Sequence, residues 1–255
     1  MSLMRGLLRL SIGIILIAHP LNCTAETRTA IATDVARSEI EQIARQTTVR
    51  IFTGSASGSG VIVRRQGEIY TVLTNWHVVG FSDKLTIMTV DSRRYLPATR
   101  NFVQIGKLDM AIVQFRSSTP YRIAPIDPQP VTPGEPLYTA GFPMYAPDHL
   151  TTTFDRGIRG LRLTQGVVSL LLPKSLDQGY RLGYTNDISV GMSGGPIFNQ
   201  QGLLVGINGR VKNRDPDFGV YTFDDGTSPQ PEILDQMIHS SWGIPISSYL
   251  KLRSF

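Results

Sequence analysis

The sequence predicts an all-β protein built as two packed six-stranded antiparallel β-barrels, preceded by a short N-terminal helix and closed by a C-terminal helix and strap. Three observations carry this. The apolar runs are short, of strand length, and are bounded by Gly, Asp and Ser turns, for which the chain's 24 glycines provide. These runs fall into two sets of roughly six. Between the sets lies the segment 120–136 with six prolines, a composition suited to a crossover because proline cannot donate to a β-ladder.

Before the strands, Val35, Ile40 and Ile43 recur at helical spacing over 34–46, with Asp34 placed to cap. The first strand set reads at 48–53, 60–64, 69–74, 84–90, 94–99 and 110–115. The second reads at 136–140, 151–154, 159–169, 179–184, 195–199, 203–210 and 218–223. A short helix at 232–238 and a strap through 244–250 follow. The division is then a leader at 1–25, the helix and first barrel at 26–125, and the second barrel with its strap at 126–255.

The leader reads as a secretory signal. Arg5 and Arg9 form a basic start, residues 10–18 an apolar run, and Cys23-Thr24-Ala25 a small-residue cleavage site. His19 and Pro20 end the run far short of bilayer thickness, which argues against an anchor. The expected location is therefore periplasmic or extracellular. Cleavage would remove Cys23, the only cysteine, so the mature chain would fold without disulfides. It would also lower the formal charge of +5 by two, to +3, because Arg5 and Arg9 leave with no acid. The remaining charges are scattered, with no basic block, which excludes a nucleic-acid partner.

The densest chemical signal is Ser189-Val-Gly-Met-Ser-Gly-Gly-Pro196. Glycines crowd a serine where the backbone must turn tightly and its amides must face a reacting group. Alone, such a serine fits a plain loop as well. A base candidate stands upstream at His77, at the end of the apolar strand 70–74, where an imidazole is held firmly enough for proton transfer. A carboxylate candidate is Asp109, directly before an apolar strand. Asp83 and Asp91 lie in polar turns instead. A packed histidine and a turn aspartate are the bland alternatives for each residue taken singly.

Four blocks carry a resemblance: Gly58-Ser-Gly-Val-Ile-Val63, Leu73-Thr-Asn-Trp-His-Val-Val79, Leu108-Asp-Met-Ala-Ile-Val113 and Gly191-Met-Ser-Gly-Gly-Pro196. Over residues 46–250 the chain resembles trypsin-like serine proteases of the chymotrypsin superfamily. It is most similar to the bacterial branch, the HtrA-type protease domain and small exported cyanobacterial proteases. The resemblance implies a chymotrypsin-like pair of barrels, with Ser193 as nucleophile, His77 as general acid and base, and Asp109 as its orienter. It further implies an oxyanion hole made by the backbone N–H groups of Gly191 and Ser193. Two departures matter. Digestive members have aspartate before the serine, to pair with a new N-terminus; here Met192 cannot, so activation by insertion of an N-terminus is not expected. HtrA enzymes carry a PDZ domain after the protease, and too little chain follows here to expect one.

For specificity, the resemblance places Asp187 at the pocket base, which would favour Arg or Lys before the scissile bond. The other wall would be Asn208, Gly209 and Arg210, whose backbone would pair with an extended substrate and whose side chains would instead suit an acidic one. The charge preference stays open. The leading reading is an exported serine endopeptidase that works through an acyl-enzyme on extended protein or peptide segments, with no metal or cofactor and no membrane attachment after cleavage. The alternative is a catalytically silent protease fold used for peptide binding or chaperoning. An α/β-hydrolase esterase is disfavoured, because Pro196 and the turn at 199–202 suggest a hairpin where that fold needs a helix.

Overall fold

The computed structural model describes residues 37–99, 102–147 and 150–251; the leader at 1–25 and the cap at Asp34 lie outside them. Helix α1 over 37–47 buries Ile40 and Ala44. It docks on the far half of the chain. Gly202, at φ +72°, forms a turn so close beneath it that a Cβ there would stand 2.5 Å from Ile43 Cδ1.

Seven strands then form one antiparallel sheet: β1 (Thr48–Thr53), β2 (Ala56–Gln66), β3 (Ile69–Thr74), β4 (Thr86–Met88), β5 (Arg94–Tyr95), β6 (Val103–Gln104) and β7 (Ala111–Arg116). Their order is β5-β4-β1-β2-β3-β7-β6. Tight hairpins join β1 to β2 and β2 to β3, the paired residues being Thr53 with Ala56 and Gln66 with Ile69. Glycines at positive φ, Gly54 and Gly67, make those turns. Between β3 and β4 sits a single helical turn, α2 (Trp76–Val79).

The two-barrel class holds, with differences in the elements. The first unit has seven strands where six were expected, and β5 and β6 are edges not bonded to each other. Pro97 cuts the run 94–99 to two paired residues, and β6 is too short to leave an alternation in the sequence.

The second unit is a closed barrel: β8 (Pro136–Gly141), β9 (Arg162–Leu171), β10 (Leu182–Tyr184), β11 (Pro196–Asn199), β12 (Leu204–Arg210) and β13 (Ser241–Pro245), in the order β10-β13-β12-β11-β8-β9. Of the run 151–154 only a bridge from Thr152 to Tyr145 pairs, and a 3₁₀ segment (Phe154–Gly160) follows. The run 218–223 supplies a bridge from Phe223 to Leu176 but no strand, because Gly219 at φ +67° ends a 3₁₀ turn and diverts the chain. The sixth barrel strand is instead β13, between α3 (Pro231–Ile238) and α4 (Ser247–Leu250).

Three apolar cores result. One fills the first sheet, around Tyr70, Val72 and Phe115, and another the barrel, around Leu137, Tyr184 and Ile197. The largest joins the two units and helices α1 and α3, with Val61 and Leu73 from one side meeting Tyr138 and Phe198 from the other. The two units are thereby joined by packed apolar surface, which resists relative motion. No helix among the described residues is long and apolar enough to cross a membrane.

Candidate active site

His77 is carried by α2, the turn that follows β3. A turn this short cannot hold itself, and its anchor is the residue that opens the neighbouring strand. Asn75 Nδ2 donates to the Asp109 carbonyl at 2.7 Å, and the His77 backbone N–H donates to Asp109 Oδ1 at 2.8 Å. The other carboxylate oxygen, Oδ2, lies 2.6 Å from His77 Nδ1. An ionised carboxylate only accepts, so Nδ1 carries the proton and Nε2 is left as the acceptor. The ring is 46% exposed and the carboxylate 4%: one end of the couple is buried and the other meets solvent.

Asp109 has a further donor that sequence reasoning missed. The Tyr180 hydroxyl, buried beside the barrel, donates to Asp109 Oδ2. Burial alone would raise the Asp109 pKa, but the hydrogen bond and charge of His77, the Tyr180 hydroxyl and the His77 N–H outweigh it, leaving the carboxyl below its ordinary range. Burial first, and then the Asp109 charge, push the Tyr180 phenol well above its usual value, so it remains a donor. Gly209 makes room for it. A Cβ there would come within 2.2 Å of Tyr180 Cε1 and 2.4 Å of its oxygen. No motif or spacing marks Tyr180; only folding the 172–181 segment back over Asp109, whose N–H donates to the Gln178 carbonyl at 2.9 Å, brings it there.

Ser193 comes from the other unit, on the turn before β11. Its carbonyl accepts from the Ser59 N–H at 2.9 Å, joining the turn to β2. Gly194, at φ +82°, lies so close to the histidine-bearing segment that a Cβ would stand 2.2 Å from the Ser59 carbonyl oxygen and 3.0 Å from Asn75 N. The turn therefore abuts the residues just before His77. The Ser193 hydroxyl itself donates to the Gly209 carbonyl at 3.2 Å.

The peptide planes around Ser193 are pinned through their carbonyls. Val190 O accepts from Met144 N–H at 2.7 Å. Met192 O accepts from Gly195 N–H at 3.0 Å and from Asn208 Nδ2 at 3.5 Å. In a trans peptide the N–H points opposite to the C=O, so these bonds aim the Gly191 N–H away from Met144 and the Ser193 N–H away from Gly195 and Asn208. Neither donates to any group among the described residues. Gly191 sits at φ +96°, where a Cβ would come to 2.5 Å from Met144 N; glycine is required by both conformation and space.

The residues read as specificity determinants are engaged elsewhere. Asp187 stands at the surface, 62% exposed, between Arg162 at 3.2 Å and Lys212 at 3.5 Å. Asn208 is fully buried: Oδ1 accepts from the Tyr184 hydroxyl at 2.8 Å and Nδ2 donates to the Ala140 carbonyl at 3.1 Å. Its side chain thus serves the barrel interior. The Arg210 guanidinium lies over the Tyr180 ring at 4.1 Å and donates to the carbonyls of Val220 and Asp177 at 2.7 and 3.0 Å. Of that wall, Gly209 offers its carbonyl beside Ser193.

Comparison with known proteins identifies the family. The family of trypsin-like peptidase domains matches residues 58–207, more than half of the chain. A probable periplasmic serine endoprotease, DegP-like, of Marinomonas sp. is 26% identical over 188 residues, covering 72% of this chain and 36% of that protein. The serine protease Do-like HtrA of Bacillus subtilis is 28% identical over 178 residues, covering 66% of this chain and 36% of that protein. The chain thus spans about a third of the length of these curated relatives. With the sheet and barrel, the imidazole–carboxylate couple between them and the matching span in view, the chain belongs to the family of trypsin-like peptidase domains.

Proposed function

We propose that this protein is a serine endopeptidase in which Ser193, His77 and Asp109 act as the triad. The observation that carries the reading is a histidine whose Nδ1 is held at 2.6 Å by a buried carboxylate, together with the N–H groups of Gly191 and Ser193, which meet no acceptor among the described residues. An extended peptide would pair with the backbone beside Gly209, as an added strand does with a sheet edge. The Ser193 hydroxyl attacks the scissile carbonyl carbon while its proton passes to His77 Nε2. Asp109 stabilises the imidazolium without taking the proton. The negative charge forming on the carbonyl oxygen meets the N–H groups of Gly191 and Ser193, donors worth ~3–4 kcal/mol each in such sites. His77 then protonates the leaving amine, giving an ester on Ser193 that water hydrolyses by the same steps.

The hydrogen bond from Ser193 to the Gly209 carbonyl favours the alternative of a silent peptide binder, since it turns the hydroxyl away from the imidazole. That contact is lost when a substrate claims the Gly209 carbonyl, and one rotamer step of about 120° redirects the oxygen. The catalytic reading accounts for the buried carboxylate, for which a binder has no use. Export is part of the proposal, resting on the basic, apolar and small-residue order of residues 1–25. Protein segments in extended conformation are the proposed substrates.

The test is covalent. A fluorophosphonate should label the purified protein at Ser193, located by peptide mapping, and Ser193→Ala should remove the label. Labelling at another residue, or none, refutes the proposal.

A further inference from the structure

Arg50 lies in the middle of β1 and is fully buried, yet it makes no ion pair among the described residues. A buried, unpaired cation is costly unless its donors are satisfied. Nearly all of this one's acceptors belong to a single loop. Nη1 donates to the carbonyls of Thr153 and Gly157 at 2.7 and 3.0 Å. Nη2 donates to Thr153 Oγ1 at 2.7 Å and to Ser57 Oγ at 3.4 Å, and only Nε lacks a partner. Three rings surround the guanidinium, Phe52, Phe142 and Phe154, with centroids 5.1 to 5.6 Å away. Burial draws Arg50 down to about 10, with Asp155 opposing, so it stays cationic at neutral pH.

From Thr153 the bonds lead towards Ser193. Having accepted from Arg50, Thr153 Oγ1 donates to the Pro143 carbonyl, while the Thr153 N–H donates to Met144 O at 3.0 Å. Met144 N–H holds Val190 O, which aims the Gly191 N–H. Two residues back, Phe142 N–H donates to Ser59 Oγ at 2.8 Å, and Ser59 Oγ donates to Gly191 O at 2.8 Å. Both peptide planes that meet at Gly191 are therefore fixed from the 142–144 segment. Met192, fully buried and apolar, supplies no charge that would hold them from within.

We infer that Arg50 and Thr153 are positioning residues for the oxyanion hole, holding the 142–144 segment in place so that the Gly191 N–H points at the reacting oxygen. The inference rests on the catalytic reading of Ser193 and extends it. The cation acts as a fixed post: its planar fork serves several acceptors of one loop at once, which an ammonium could not do with the same rigidity. The arrangement is built into β1 and needs no new chain terminus.

The test compares wild type with Thr153→Val, Thr153→Ser and Ser59→Ala. Phosphonylation of Ser193 by a fluorophosphonate places an oxygen in the oxyanion hole, so its rate reports that hole. Carbethoxylation of His77 by diethyl pyrocarbonate does not. Thr153→Val should slow phosphonylation ~10- to 100-fold, as a misaimed donor does, and Ser59→Ala should act in the same direction. Thr153→Ser, which keeps the hydroxyl, should stay within about twofold, and carbethoxylation should keep its wild-type rate throughout. If phosphonylation is unchanged in both Thr153→Val and Ser59→Ala, the inference is wrong. It is also wrong if carbethoxylation changes in step with phosphonylation, the mark of general loosening. Should Thr153→Val fail to fold, Ser59→Ala decides by the same criteria. A wild-type protein that is not labelled at Ser193 refutes the proposed function, and this inference falls with it.

Discussion

Replacing Tyr180 by phenylalanine removes one oxygen from the support of Asp109 and leaves the ring in place beneath Arg210. The lost bond is a hydroxyl donating to a carboxylate that is 4% exposed. Buried hydrogen bonds to a charge are worth about 1.5–3 kcal/mol, and the buried Oδ2 keeps only its bond to His77 Nδ1. Losing that donor should raise the Asp109 pKa from its lowered position. The sign follows from linkage. A carboxyl held below its unfolded value contributes stability that is present above the unfolded pKa, near 4, and is lost as the pH falls through the folded value. Urea unfolding should therefore show Tyr180→Phe less stable by ~1.5–3 kcal/mol at pH 7, with the gap closing as the pH is taken below about 4. Turnover at pH 7 should fall by less than the stability loss implies, about three- to tenfold, because the carboxylate stays ionised and both contacts to His77 survive. A stability gap of the same size at pH 7 and at pH 3 would show that Tyr180 acts by packing alone, and no gap at pH 7 would show that its hydroxyl does nothing for Asp109.

Two further outcomes are expected. Asp109→Asn should lower kcat by about 10⁴-fold, because an amide at this position can donate to Nδ1 and so stabilise the wrong tautomer; near-normal turnover of protein hydrolysis would mean that another carboxylate orients His77. Cleavage of a peptide library should show no preference for Arg or Lys before the scissile bond, since the Asp187 carboxylate is already shared by Arg162 and Lys212. Exposed pairs of this kind are weak, so a strong basic preference would mean that substrate displaces them and would return Asp187 to the pocket base.

The strands that could be read in advance are the six-residue apolar runs bounded by turn residues, such as β1, β3 and β7. The misread ones are decided by backbone. Phe218 to Phe223 is rich in aromatic and β-branched residues, yet Gly219 turns the chain out of line before a ladder can form. The expected strap overlaps β13 because Gly243 and Pro245 weaken the strand pattern there; the strand's place is set by closure of the barrel between β10 and β12. His77, Asp109 and Ser193 were legible because each sits where a strand meets a turn, a setting with a local signature. Asn208 and Arg210 were legible only as neighbours of Gly209, and their side chains turn to partners far along the chain, Ala140 and Asp177.

The sequence by itself determined the all-β class, the two units about a proline-rich crossover, the order of histidine, aspartate and serine, and the glycines that free the backbone around Ser193. These depend on periodicity, turn chemistry and residue type, all local properties. Only the tertiary structure decided that a tyrosine hydroxyl donates to Asp109, that the Val190 carbonyl accepts from Met144, and that a caged arginine on β1 donates to Thr153 and Gly157. Those contacts join residues such as Arg50 and Thr153, 103 positions apart, or Asp109 and Tyr180, 71 apart. Their partners are chosen by how the sheet and the barrel pack, and packing leaves no periodic trace in the sequence.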